Sequence, residues 1–397
     1  MIDAPHPQPA AVRRLSAERV KERARQLGFA LAGVTPVRGS AHADFYRTWL
    51  GRGLHGSMDY LAREDAVARR TQPDAAWPEL RSAIVLAMTY GEEDVAAASS
   101  RDEADGAPGR GIVARYALSR DYHRVLKAKL LELLRWIESE TGQRLEAARA
   151  YVDTGPVLER ELAQRAGLGW FGRNTMLINP GLGSYFFLAA LLVELELDAD
   201  EPFVADRCGT CTRCLDACPT GALLGRDADG APVMDATRCI SYLTIEQRGP
   251  IPEELRPLIG DRIYGCDICQ EVCPWNGDKV RAKAGPGAAL TRVRARSVSL
   301  VEMLRMTHDE WDSYTRGSAM RRAGYDGLRR NVAVALGNAL ARGERPERAL
   351  AALEAALGDD SMLVREHAAW ALARANGPAV TGAGDPAAAP GPGTLPA

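Results

Sequence analysis

All eight cysteines of the 397-residue chain fall between Cys208 and Cys273, and no other feature restricts the possible folds so tightly. The first four read Cys-Gly-Thr-Cys-Thr-Arg-Cys-Leu-Asp-Ala-Cys-Pro from Cys208 to Pro219, the C-x2-C-x2-C-x3-C-P spacing of two-cluster bacterial ferredoxins. Gaps of this size let three thiolates converge on three irons of one cubane, and the fourth, ahead of a proline, turns toward a second cluster. Cys266-x2-Cys269-x3-Cys273-Pro274 repeats the last three positions, with Cys239 standing alone where the first is missing. By ferredoxin wiring, Cys208, Cys211, Cys214 and Cys273 are expected to hold one 4Fe–4S cluster, and Cys218, Cys239, Cys266 and Cys269 the other. Every cysteine is then used. A structural zinc site built from paired C-x2-C units has no need of a third cysteine at x2 or of the x3-C-P ending. A disulfide scaffold is not expected in a long chain that opens without a secretory signal.

Thiolates kept free for iron imply a reducing compartment, and the rest of the composition agrees. Met1 to Arg14 is proline-rich and then basic, without an apolar core. The longest apolar run, Tyr185 to Val193, is far short of the ~20 residues a membrane helix needs. A cytoplasmic protein with no membrane contact is the expectation. The formal net charge of −2 conceals an asymmetry, because Lys279 to Pro346 holds fourteen Lys or Arg against six Asp or Glu. Such an excess suits a polyanion, although a solvated Arg-rich helix face is its ordinary meaning.

Taken in order, Ser16 caps an expected helix from Ala17 to Leu27, stopped by Gly28, and Phe29 to Val34 reads as a short strand. Trp49 to Leu61 is helical but broken at its glycines. Ser82 to Tyr90 has the length and apolarity of a buried strand. Glu92 to Gly111 is acidic and rich in Ala, Ser and Gly, a loop composition. Asp121 to Glu140 carries Val125, Leu126, Leu130, Leu133, Leu134 and Ile137 at helical spacing. A strand at Ala150 to Val152, a turn at Asp153 to Pro156, a helix from Val157 to Ala166 and a strand within Gly183 to Leu197 follow. Strands separated by helices predict an α/β (α+β) domain over residues 1–205. The ferredoxin-like module takes 206–280. Arg329 to Ala341, Arg345 to Leu357 and Leu363 to Ala375 predict an all-α, HEAT-like domain over 281–378, ahead of an Ala/Gly/Pro tail at 379–397 with almost no charge, expected to be disordered.

Outside the cysteines the motifs are ambiguous. Gly167-Leu168-Gly169-Trp170-Phe171-Gly172 matches G-x-G-x-x-G, but a helix precedes it where a dinucleotide fingerprint needs a strand. No G-x-x-x-x-G-K-S/T loop occurs, which removes the usual NTPase reading. Asp121-Tyr122-His123 has the D-x-H opening of a cobalamin motif, yet Leu126 occupies the glycine position, and His123 reads as a packing or surface histidine. Asp153 or Thr154 would ordinarily cap the next helix, while a carboxyl on a glycine turn at a strand end also suits proton transfer. Clusters carry single electrons and transform nothing alone, so two of them imply delivery to a third centre: a partner protein, a flavin or another cofactor.

Several segments together resemble the epoxyqueuosine reductase family, cobalamin-dependent iron–sulfur enzymes that complete queuosine in tRNA. They are Arg115-Tyr116-Ala117 with Asp121-Tyr122-His123; V-D-T-G-P-V-L-E-R-E-L-A-Q-R-A-G-L-G-W-F-G-R-N-T from Val152 to Thr175; Gly183-Ser184; the cysteine run; Cys239 to Glu246; and Y-G-C-D-I-C-Q-E-V-C-P-W-N from Tyr264 to Asn276. The resemblance spans about residues 12–375. It implies reduction of epoxyqueuosine at the tRNA wobble position to queuosine and water, using two electrons and two protons. Two 4Fe–4S clusters would feed a cobalamin lying between the N-terminal domain and the insert. Whether a Co(I) state attacks an epoxide carbon or electrons pass without a cobalt–carbon bond stays open. By position Asp153 is the implied proton donor, and Arg70, Tyr116, Asp153, Leu177, Leu188, Ser241 and Asp267 are the implied cobalamin contacts. Arg173 stands where many relatives carry Lys. The basic region gains a purpose, with Arg321, Arg322, Arg329 and Arg330 expected to grip tRNA phosphates. An external electron donor such as a flavodoxin or ferredoxin system is implied, and a monomer is expected. Two alternatives remain at this level: a reductive-dehalogenase-like corrinoid reductase, and an iron–sulfur electron carrier without cobalamin.

Overall fold

The computed structural model describes residues 15–90, 109–277, 290, 293–344 and 348–375. The N-terminal residues to 14, the acidic segment from Glu92 to residue 108, the start of the basic region at Lys279 and the tail from 379 lie outside the described residues. In chain order the strands are β1 Leu31–Pro36, β2 Ser82–Thr89, β3 Arg110–Val113, β4 Arg149–Tyr151, β5 Trp170–Phe171, β6 Leu177–Ile178, β7 Phe186–Val193, β8 Leu223–Arg226, β9 Pro232–Met234, β10 Arg262–Tyr264 and β11 Ser297–Ser299.

β2 is apolar along nearly its whole length because both its faces are covered. Ile84, Leu86 and Met88 meet the helices Ala17–Gln26 and Tyr122–Thr141, while Ala83, Val85 and Ala87 meet the helix Glu159–Arg165. The central sheet runs β1-β2-β7-β4 with every pairing antiparallel, for example Ile84 opposite Leu191. It is therefore an α+β sandwich, not a parallel α/β sheet. Gly33 on β1 has no room for a side chain: a Cβ would lie 2.1 Å from the carbonyl oxygen of Ala166, so the end of the Glu159–Arg165 helix rests directly on the strand. The G-x-G-x-x-G match leads into β5 and no helix follows it, which removes the dinucleotide reading.

Two local expectations hold closely. Ser16 Oγ accepts the Arg19 N–H at the first helix, and Asp121 caps the Tyr122–Thr141 helix, which buries Leu126, Leu130, Leu133 and Ile137. One fails. The helix expected from Val157 begins at Glu159, with Leu158 at its cap position, so neither Asp153 nor Thr154 caps it.

The cysteine module and the helical region are tied to the N-terminal domain by a second sheet, in which β3 pairs in parallel with β10 and antiparallel with β11. Val113, Ile245, Ile263 and Tyr264 share one core with Leu300, Leu328, Val332 and Leu336. Helix Tyr325–Ala341 packs on Met362–Ala375, and Gly337 allows the close crossing, since a Cβ there would sit 2.8 Å from the Ala371 Cα. The third expected helix is shorter, Ala349–Ala356. Polar side chains dock Tyr325–Ala341 onto the cysteine module. Asn331 Nδ2 donates to the Thr244 and Ile263 carbonyls at 2.8 and 2.9 Å, and Asn338 Nδ2 donates to the Arg256 carbonyl at 2.9 Å. No helix among the described residues is long and apolar enough to cross a membrane.

Candidate active site

Cys208, Cys211, Cys214 and Cys273 line one hollow, partly open to solvent, together with Arg173, Asn174 and Trp275. The Cys273 thiol comes from the second motif and closes a ring begun by the first, as ferredoxin wiring requires. The other four form a second neighbourhood: Cys239 feels the charge of Cys218, Cys266 that of Cys239, and Cys269 that of Cys266 and Cys239. Cys269 also senses Cys214, so the two quartets adjoin. All eight thiols are free of disulfides. Among the described residues no group of three or more His, Cys, Asp or Glu side chains is arranged to hold a single metal ion. Thiols surrounding a hollow suit a cubane. Burial pushes Cys214 and Cys266 up to about 12 and Cys273 up to about 11, so thiolates here need the compensating charge of bound iron.

A cleft opens at the end of β4, where the chain turns through Asp153 with φ 60, a left-handed conformation that Asp tolerates better than most residues. Strain of this kind concentrates at functional sites. Asp153 Oδ2 accepts the Tyr122 hydroxyl at 2.7 Å and faces His123 Nε2 at 3.3 Å. His123 Nδ1 lies 2.7 Å from Asp121 Oδ1, so the imidazole bridges two carboxylates. Tyr122 is held by stacking on Phe187, with ring centres 4.0 Å apart and planes 7° from parallel. The Asp153 side chain keeps 64 % of its surface accessible although protein surrounds it on most sides; it lines a concavity.

The electrostatics follow from this arrangement. Crowding by protein works to raise Asp153, but hydrogen bonds from His123 and Tyr122, with the charges of His123 and Arg160, hold it below the usual carboxylate value. Burial works to lower His123, and Asp121 and Asp153 overcome it, raising the imidazole to about 9. At neutral pH the resting proton therefore sits on His123, hydrogen-bonded toward Asp153. Glu159, at the start of the next helix, is raised to about 8 by burial and by the Asp153 charge. Arg160 donates to the Thr175 carbonyl at the same edge of the cleft.

The other anticipated residues divide. Tyr116 packs between Tyr122 and Tyr264, with ring centres at 6.2 and 6.1 Å. Arg70 is buried, donates to the Ala66 carbonyl at 3.3 Å, and its charge reaches Tyr60 and Glu159. Tyr116 thus lies within reach of the Asp153 charge, and Arg70 within reach of Glu159. Leu177 on β6 and half-buried Leu188 on β7 share the apolar cluster under the Glu159–Arg165 helix. Ser241 hydrogen-bonds the Cys239 thiol, and buried Asp267 accepts the Arg115 N–H at 2.8 Å, so these two belong to the joint between the cysteine module and the N-terminal domain. His123 was read as a packing or surface histidine, and the structure corrects that. Residues 123 and 153 are 30 apart in sequence, and only the packing of helix against strand end joins them.

The expected phosphate-gripping arginines also divide. Arg321, 42 % exposed, pairs with Asp312 at 2.7 Å and lies over the Trp311 ring. Arg322, 51 % exposed, forks onto both oxygens of Glu246 at 2.9 and 2.7 Å. Arg329 is mostly covered and is engaged by Asp359 and the Leu304 carbonyl. Arg330 is a correction. It is 1 % exposed and donates at 2.7 Å to the carbonyls of Leu243, Gln247 and Gly249, so it fastens the helix to the cysteine module and cannot reach a phosphate.

Residues 207–276 match the family described as 4Fe-4S double cluster binding domain, and residues 70–154 match Epoxyqueuosine reductase QueG, DUF1730. The chain is 42 % identical over 358 residues to the epoxyqueuosine reductase of Pseudomonas aeruginosa, an alignment covering 90 % of this chain and 94 % of that one. It superposes on an epoxyqueuosine reductase solved with an epoxyqueuosine-modified stem loop of a tyrosine tRNA (TM-score 0.76, 29 % identity, 90 % and 89 % covered). It also superposes on the Bacillus subtilis enzyme, solved with an aspartate-bearing catalytic loop swung out of the active site (TM-score 0.74, 29 % identity, 93 % and 91 % covered).

Proposed function

This chain belongs to the epoxyqueuosine reductase family, and from that membership we propose how its cleft carries out the reaction. The enzyme is an oxidoreductase that reduces epoxyqueuosine to queuosine, and its macromolecular substrate is tRNA carrying the modified base. Identity at this level over nine-tenths of the chain favours this reading over the dehalogenase-like and electron-carrier alternatives. Two 4Fe–4S clusters occupy the cysteine quartets, and a cobalamin fits the neighbouring cleft. By the family resemblance Arg70, Tyr116, Asp153, Leu177, Leu188, Ser241 and Asp267 would hold it, and of these the exposed Asp153 carboxylate, with Tyr116 packed beside its partner Tyr122, offers the polar and apolar contacts a corrin ring with amide side chains needs. When bound, the clusters supply single electrons and cobalamin a strongly reducing cobalt centre beside the substrate.

The chain's own groups supply the protons. His123 holds one at rest, Tyr122 and Asp121 orient the Asp153–His123 pair, and Asp153 delivers the proton to the opening epoxide oxygen. The observation that carries this reading is an accessible carboxylate on a left-handed turn, held by a tyrosine and by an imidazole bridged to a second carboxylate. HEAT-like helices at 281–378 and the exposed Arg321 and Arg322 would meet the tRNA backbone, with Arg329 a weaker contributor. The setting would be the cytoplasm, with an external flavodoxin- or ferredoxin-type donor and a monomeric enzyme. The test is Asp153→Asn in a single turnover on epoxyqueuosine-containing tRNA with pre-reduced protein. A loss of about 10²-fold or more with unaltered cluster spectra supports the assignment, and wild-type turnover removes it.

A further inference from the structure

Reducing an epoxide to an alkene breaks two C–O bonds, consumes two electrons and releases the oxygen as water, which takes two protons. The Asp153–His123 pair holds one. The second has no assigned source, and the group next to the pair is Glu159.

We propose that Glu159 stores the second proton and reloads Asp153 after it has discharged, an inference that rests on the proton-donor reading of Asp153 given above. Its position carries the argument. The carboxyl stands at the start of the Glu159–Arg165 helix, near enough to Asp153 to feel its charge, and its Oε1 is buried with no hydrogen-bond partner among the described residues. A buried carboxylate oxygen without a donor costs far more than a buried neutral acid, so this site favours the protonated form. The charged groups facing it are Asp153 from the turn, Arg160 from its own helix and Arg70 from the helix Glu64–Thr71. A hydrogen bond from its own backbone N–H and the two arginines pull toward ionisation; burial and Asp153 outweigh them and raise the carboxyl to about 8.

The sequence of transfers balances. Asp153, charged with the His123 proton, protonates the oxygen as the first C–O bond opens. Glu159 passes its proton to the now-ionised Asp153, which protonates the hydroxyl, and water leaves as the second C–O bond breaks. The two electrons come from the reducing cofactors of the family reaction. Glu159 and His123 then recover protons from solvent. Glu159 acts through Asp153 and is a positioning and relay residue, not one that touches substrate.

The test uses the holoenzyme and Glu159→Gln, which keeps the shape and loses the acid. Single-turnover reduction should slow by about 10²-fold, tRNA affinity should be unchanged, and the wild-type fall in rate near pH 8 should vanish. Infrared difference spectra of the protein without substrate supply a readout independent of turnover: a carboxylic-acid C=O band that titrates near pH 8 in the wild type and is absent from the variant. Glu159→Asp keeps the acid at shorter reach and guards against a folding defect; it should retain the band and part of the rate. A Glu159→Gln enzyme with wild-type rate and pH limit overturns the inference, as does a band that persists in it. If Asp153→Asn is inactive while Glu159→Gln is normal, only the relay fails. If Asp153→Asn is fully active, the reading beneath it fails.

Discussion

Arg330→Met separates two meanings of a basic residue in this region. The guanidinium is 1 % exposed, and its three carbonyl acceptors, Leu243, Gln247 and Gly249, belong to the cysteine module. Methionine fills similar volume and donates nothing. A buried carbonyl left without a donor costs ~1–3 kcal/mol, so the buried Leu243 carbonyl and the part-buried Gln247 and Gly249 carbonyls together cost at most roughly 3–9 kcal/mol. Part is recovered, because burial and the charges of Arg248 and Arg256 push the Arg330 guanidinium down to about 10, a sign that its charge is itself costly. A net loss of about 3–5 kcal/mol remains, the range for removing one partner from a buried charged arrangement. For a cooperative unit of ~150–250 residues, 2–4 °C per kcal/mol places the fall in melting midpoint at roughly 6–20 °C. The assay pairs anaerobic thermal unfolding with tRNA binding across a salt series. The midpoint should fall while the slope of log K against log salt at permissive temperature stays at its wild-type value. Wild-type melting with a slope shallower by about 0.7–0.9, the signature of one lost phosphate contact, would refute the reasoning.

Three further outcomes follow from the same geometry. Arg321→Glu with Arg322→Glu should weaken tRNA binding and make the salt slope shallower by at least about 1.4. The ion pairs lost are exposed and worth ~0–1 kcal/mol each, so melting should barely move. Cys273→Ser, though it lies in the second motif, should remove the same cluster as Cys214→Ser, both leaving about four of eight irons and matching electron paramagnetic resonance spectra; different surviving clusters would contradict the shared hollow. His123 is raised in the folded protein from 6.5 to about 9, so its bridge contributes stability fully present below about pH 6.5 and lost as pH rises through about 9. Asp121 and Asp153 are lowered, so their share is present above about 3.8 and lost as pH falls through their folded values. Denaturant titrations of wild type and His123→Gln should therefore differ most between those limits and converge above pH 9; a gap that stays constant into alkali would show no such bridge.

Much of this protein was legible without coordinates where the determining interaction is local. Within each motif the cysteines stand two or three residues apart, so the spacing pointed to two 4Fe–4S clusters, and the match of residues 207–276 to a 4Fe-4S double cluster binding domain supports that count. Helix stripes such as Leu126, Leu130, Leu133 and Ile137 likewise state which face is buried. The direction of strand pairing was not legible, because strands covered on both faces lose the alternation that distinguishes a half-exposed antiparallel sheet.

The cleft needed the fold. Asp153 resembled a helix cap in sequence, and only the start of the helix at Glu159 freed its carboxyl for Tyr122 and His123. Arg329 and Arg330 are neighbours in one basic run, yet one meets Asp359 near the surface while the other is enclosed by three carbonyls. A turn of about 100° per residue separates them, and which side of a helix meets a neighbouring domain is a property of packing. Sequence determined the metal chemistry because ligand spacing is set by covalent reach along the chain. Tertiary structure decided which groups surround Asp153 and which arginines stay exposed, because those depend on groups that meet only when distant segments are pressed together and water is excluded between them.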